Sequence, residues 1–100
     1  MITRKRSKDG VLRMVVEDLE SWEGFDKLVQ YFSNEYDCEV FSKVDGPDAR
    51  LWEIGIKGQI VNLVHDDMLG NFFYSKNASA EPLLESLASK LEKRIEENRD

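Results

Sequence analysis

The run from Trp52 to Val64 constrains the fold of this chain more than any other stretch. It reads Trp-Glu-Ile-Gly-Ile, then Lys-Gly, then Gln-Ile-Val-Asn-Leu-Val, so two strands are joined by a two-residue turn at Lys57-Gly58. With Ile56 opposite Gln59, facing residues share a side of the sheet. One side carries Trp52 opposite Leu63 and Ile54 opposite Val61 and is nearly all apolar, so it points to the core. The other carries Leu51 opposite Val64, Glu53 opposite Asn62 and Gly55 opposite Ile60, and is mixed. A slip of one residue would exchange the two sides. The turn makes a demand in return: Lys57 needs positive φ in a type I′ turn, which Asn would adopt more readily.

The rest of the chain supplies partners for this hairpin. Val11 to Glu17 reads as a strand after the Asp9-Gly10 turn signal. Pairing Ile2–Ser7 back across a two-residue turn would set Arg6 against Arg13, so residues 1–10 are expected to be a flexible basic tail or a short edge strand. Ser21 is positioned as a helix N-cap. Trp22, Phe25, Leu28, Val29, Phe32 and Tyr36 follow at helical spacing, with Glu20, Glu23 and Asp26 near the positive helix start. This aromatic stripe is read as a core face rather than a cofactor pocket.

Cys38 to Val44 is a further strand, and Asp45-Gly46-Pro47-Asp48-Ala49 a loop. Residues 65–71 turn the chain again, Phe72 to Ser75 form the last strand, and Ser79 caps a final helix with Pro82 in its first turn. Leu84, Leu87, Ala88, Leu91 and Ile95 make that helix's apolar side, and 96–100 are expected to fray.

The order is thus β-α-β-β-β-β-α in one domain, residues 1–100. The expected fold is an α+β two-layer sandwich with a mostly antiparallel sheet and two helices on one face. The helix between the first two of these strands would allow a parallel pairing by a right-handed crossover.

Charge and composition narrow the function. The net charge is −6, and residues 1–10 hold four basic side chains against one acidic, so the body is more acidic than the whole. That excludes general affinity for nucleic acid or an anionic membrane. No apolar run is long enough to span a bilayer and none follows the basic start as a secretory signal would require; the single cysteine, Cys38, fits a reducing cytoplasm.

Motifs for catalysis, metal binding or cofactors are missing. His65-Asp66-Asp67 is the cluster that most resembles an active site, as a general base or metal pair, and a small enzyme or ligand-binding protein built on His65 and Asp66 is the rival reading. Neighbouring strand residues point to opposite faces, however, which works against convergence. No glycine-rich phosphate loop or calcium loop is present.

Asp48 and Arg50 are expected to pair and anchor the loop, or to stand at the rim of a recognition surface. Two helices cover one side of a sheet, so Leu51, Glu53, Ile60, Asn62 and Val64 on the mixed side, with Phe73 joining them, are expected to form that surface. The alternative is an ordinary half-polar sheet face.

Trp22-Glu23-Gly24-Phe25, Gly46-Pro47-Asp48 followed by Trp52, and then Gly58, Leu63 and Gly70 resemble a family of small bacterial proteins known only as a domain of unknown function. That resemblance implies a small cytoplasmic α+β domain and offers no known activity to carry over. The strand-rich centre closed by a helix also looks like toxin-immunity proteins. Size and acidity look like the dimeric type III secretion chaperones, although those usually open with a helix.

The expected function is therefore non-enzymatic: a protein-binding domain, an immunity or accessory factor, without cofactor. It would attract a basic partner and bury Leu51, Glu53, Ile60, Asn62 and Val64 with Asp48 and Arg50 at the rim. Self-association through the same patch, as a homodimer, is the structural variant of that expectation.

Overall fold

The computed structural model describes residues 1–97. Its elements are β1 (Ile2–Arg6), β2 (Leu12–Val16), α1 (Trp22–Glu35), β3 (Cys38–Asp45), β4 (Ala49–Ile56), β5 (Gln59–Asp66), β6 (Gly70–Tyr74), a short 3-10 turn (Ala78–Ala80) and α2 (Glu81–Glu97). All six strands form one antiparallel sheet in the order β1-β2-β6-β5-β4-β3. The fold is α+β, with both helices packed on one side of that sheet.

The β4–β5 hairpin has the register that its alternation requires, Ile56↔Gln59 through Leu51↔Val64. Lys57 (φ 52°) and Gly58 (φ 80°) both lie in the left-handed region, which is the type I′ geometry. Lys57 accepts a conformation that costs an L-residue about 1 kcal/mol; in exchange the turn's twist matches that of the strands.

Ser21 caps α1 by accepting from the Gly24 N–H, 3.0 Å away. Phe25, Leu28 and Phe32 are fully buried beneath it against Met14, Trp52, Ile54, Leu63 and Phe73. Edge-to-face contacts of Phe25 with Trp52 and Phe32 with Phe73 fix the aromatic packing. Gly24 lets the helix start press on the preceding chain, since a Cβ there would lie 2.9 Å from the Leu19 carbonyl carbon.

Several expectations are corrected. Of the two alternatives for residues 1–10 the chain takes the edge strand, which gives six strands rather than five. The Ser7–Gly10 turn, closed by Gly10 N–H to Ser7 O and with Gly10 at φ 85°, inserts one more residue than a two-residue turn would. The register therefore sets Arg6 opposite Leu12 and Lys5 opposite Arg13.

Two of the three basic residues of this strand have distant partners: Arg4 bonds Glu85 and Glu92, and Arg6 bonds Glu81, all on α2. Ile2 is buried in the core beside them.

The parallel crossover does not form. β2 pairs antiparallel with β6, and α1 carries the chain across the sheet to β3 at the far edge. The meander β3 to β6 then returns to β2, so β6 is a central strand with Gly70 to Phe73 all buried. Phe73 faces the core, opposite Leu63 and Met14, so it does not join the mixed side. Asn77, not Ser79, caps the last helical segment, by accepting from the Ser79 N–H. The expected fraying over 96–100 falls partly outside the described residues; within them α2 continues through Glu97.

Candidate interaction surface

Parity along β4 divides the functional candidates. Arg50, Trp52, Ile54 and Ile56 face the helices; Leu51, Glu53 and Gly55 face away. The sequence offers two places for Arg50, paired with Asp48 as a loop anchor or exposed at a rim; it is an anchor, but not through Asp48. It is 6% exposed and bonds Asp45 at 3.0 Å and Asp26 of α1 at 2.8 Å. Its guanidinium also lies 4.4–5.5 Å from the ring centres of Phe25, Trp22 and Trp52.

Burial opposes the Arg50 charge, but the bonds to Asp45 and Asp26 outweigh it and hold its pKa above the ordinary value. The hydrogen bond from Arg50, then that from Trp52, lowers the Asp45 carboxyl. This is an internal clamp between α1 and the β3–β4 hairpin. Asp48 is exposed, separate from it.

His65 is likewise on the helix side, 3% exposed, edge-on to Trp22. Its Nδ1 donates to Asn71 Oδ1 at 2.8 Å, and its Nε2 is 3.1 Å from Asp67 Oδ1. The Asn71 amide in turn donates to the carbonyls of Leu19 and Ser21. The network fastens the β2–α1 connection to the sheet. Asp66 points the other way and accepts from the Met68 and Leu69 backbone N–H groups. The structure therefore does not bring His65 and Asp66 together.

Among the described residues no group of three or more His, Cys, Asp and Glu side chains is arranged to hold a metal. Burial, then the nearby Asp37, pushes the Cys38 thiol up, away from the nucleophilic thiolate.

The opposite side of the sheet, here called the outer face, is left uncovered by either helix, and its register sorts it into rows. Thr3, Val15, Phe72, Val64, Leu51 and Val44 lie side by side across the six strands. This row is apolar apart from its first residue. Leu51 and Val44 are 41% and 59% exposed, Val15 and Val64 are half-buried, and Phe72 is covered. Beside it runs a polar row: Lys5, Arg13, Tyr74, Asn62, Glu53 and Ser42.

Of the expected surface, Leu51 and Ile60 are exposed and Glu53 and Val64 half-buried. Asn62 is on this face but only 2% exposed, closed in between Glu53 and Tyr74. Phe41 extends the apolar area by lying over Gly55, where the β3 bulge between Val40 and Ser42 turns its ring onto this side.

Sequence reasoning missed Arg13, Phe72 and Tyr74. The two rings stack at 28°, and the Arg13 guanidinium lies 5.3 and 6.0 Å from their centres. Together with Val44, Leu51 and Val64 they line a shallow groove of about 350 Å³. Strand alternation in Arg13-Met14-Val15-Val16 was the available signal, since Met14 and Val16 claim the core side.

No family model, curated protein or solved structure matches this chain. No helix among the described residues is long and apolar enough to cross a membrane.

Proposed function

We propose that the protein is a non-enzymatic protein-binding domain that works through the outer face of its sheet. The observation that carries this reading is the apolar row from Val15 to Val44, which crosses five strands and has no helix over it. Its exposed part, Val44 and Leu51 with Ile60 nearby, is continuous with the half-buried Val64, and exposed apolar surface of this kind marks interaction sites. The inner-face polar groups support it by exclusion: Arg50, His65 and Asn71 have their bonds satisfied within the fold and little room for a ligand. An immunity or accessory role in a cytoplasmic setting is the biological form of this proposal.

Site-specific photo-crosslinking tests it. A crosslinking side chain at Leu51 or Ile60 should yield a protein adduct in cells, whereas the same group at Ser86 or Ser89, exposed on α2, should not. The double substitution Leu51→Glu, Ile60→Lys should abolish the association while leaving the circular dichroism spectrum unchanged. Equal adduct yields from the sheet and helix positions would end this reading.

A further inference from the structure

We infer that the occupant of the outer face is a second copy of this chain, its sheet stacked on the first about a two-fold axis parallel to the strands. This rests on the reading of the outer face as a protein-binding surface. The register carries it further. β2 is the second strand from one edge of the sheet and β4 the second from the other. Arg13 on β2 and Glu53 on β4 belong to the same row. An axis along the midline, between β6 and β5, exchanges those positions. Each Arg13 then stands over the partner's Glu53, and each Glu53 over the partner's Arg13. The same operation lays Val15 on Leu51 and sets the position of Phe72, itself 6% exposed, over Val64, so the apolar rows coincide.

The charges it joins make no contact ion pair among the described residues of the single chain. Arg4, Arg6, Arg50 and Arg94 are all ion-paired. Arg13 makes no contact ion pair among the described residues, only a longer-range attraction to Asp9, and its buried Nε lacks a hydrogen-bond partner there. Within its own sheet it is opposite Lys5, a like charge, which is unfavourable. Glu53 also has no ion pair among the described residues. A partner of one charge sign would be repelled by one half of this row, whereas a second copy matches both halves.

Geometry permits the contact. Strands about 4.8 Å apart place Arg13 and Glu53 about 7 Å from the midline. Sheets packed face to face cross at about 30°, which shifts facing positions there by roughly 4 Å, within the reach of an arginine. Six strands of five to eight residues cover roughly 24 by 22 Å, so the pair buries on the order of 1,000 Å² in total. That is the low end of specific interfaces, and it implies a dimer that dissociates in the micromolar range.

Sedimentation equilibrium on the whole chain, from about 1 µM to about 1 mM, reads the dissociation constant. Arg13→Glu and Glu53→Arg should each raise it on the order of a hundredfold, since each creates two like-charge contacts. The double variant should recover to within about tenfold of wild type. Mixing the two single variants should give heterodimers, because both contacts are then of opposite sign. Leu51→Glu tests the same face without touching the pair and should also leave a monomer.

A wild-type chain that stays monomeric at about 1 mM overturns the inference. So does failure of both the double variant and the mixture to associate when circular dichroism shows them folded. If the chain is monomeric yet crosslinks from Leu51 or Ile60 to a different protein, the binding reading stands and self-association alone fails; with no crosslink from either, both fail.

Discussion

Two arginines lie on aromatic rings on opposite sides of one sheet, and their surroundings differ in what they leave unfinished. Arg50, on the helix side, is 6% exposed, bonds two carboxylates and touches three rings. Arg13, on the outer face, lies over Phe72 and Tyr74 with no carboxylate in contact with it among the described residues and Asp9 acting only at longer range. The sheet thus uses the same side-chain chemistry once to close the fold and once at its open surface. A buried cation with its bonds satisfied specifies packing. A half-buried cation resting on an apolar row is positioned for something outside the chain.

The largest effect should come from breaking the closed arrangement. Arg50→Ala removes the ring contacts and leaves Asp26 and Asp45 facing each other across the clamp. Unfolding in denaturant should show a loss of about 3 kcal/mol, most of it from the ring contacts and packed stem of Arg50, because both carboxylates stay partly in water. Arg50→Met, which restores much of the packed volume, should lose less. A loss below that expected of a surface residue would place the Arg50 charge outside the fold's energetics.

Next is Asn71→Ala. It withdraws the amide from the Leu19 and Ser21 carbonyls and the acceptor from His65, at a cost of about 2 kcal/mol. Hydrogen exchange should quicken at the start of α1 more than in β4. Uniform quickening would mean that the network is not a local fastening.

The clamp should also show in the pH dependence. The Asp45 pKa is lowered in the folded state, by the bond from Arg50 first and that from Trp52 second. A lowered carboxyl contributes stability that is present above its unfolded value and lost as pH falls through the folded one. Glu81 and Glu92 are lowered in the same way by Arg6 and Arg4. The midpoint of thermal unfolding should therefore decline as pH drops below about 4. Asp45→Asn should flatten part of that decline; an unchanged profile would remove Asp45 from the linkage.

How much of this was legible in the residues depended on whether the governing contact was local. The β4–β5 hairpin was readable because alternation and the Lys57-Gly58 turn fix the register together. Ser21 and the Phe25, Leu28 and Phe32 part of the stripe below it were readable for the same reason, whereas Trp22 at the helix start is 36% exposed. The first hairpin was not readable. Its extra residue at Gly10 shifts the pairing by one, and the carboxylates that neutralise Arg4 and Arg6 lie on α2, at the other end of the chain. Nor does any local signal tell β2 to pair with β6 across the sheet.

Arg50 is a different kind of miss. The parity that put Trp52 in the core places Arg50 there too, but a cation following a Gly-Pro-Asp loop invites an exposed reading. Phe72 and Phe73 are adjacent aromatics, and alternation alone does not say which faces in. The partners do: Phe73 sits between Met14 and Leu63, and Phe72 between Val15 and Val64.

The smallest effect on stability should belong to the outer face, and that is what makes it informative. Leu51 is 41% exposed on the open side, so Leu51→Glu removes little buried area from the single chain. Its unfolding free energy at concentrations where the chain is monomeric should change by no more than about 0.5 kcal/mol. Arg13→Gln should behave alike, since it forfeits ring contact but no ion pair. If either instead lost as much as Arg50→Ala, the outer face would be a second core, and its apolar row would serve the fold rather than a partner. Near-neutral stability combined with lost association separates the two roles, because a residue that only packs cannot change binding without also changing folding.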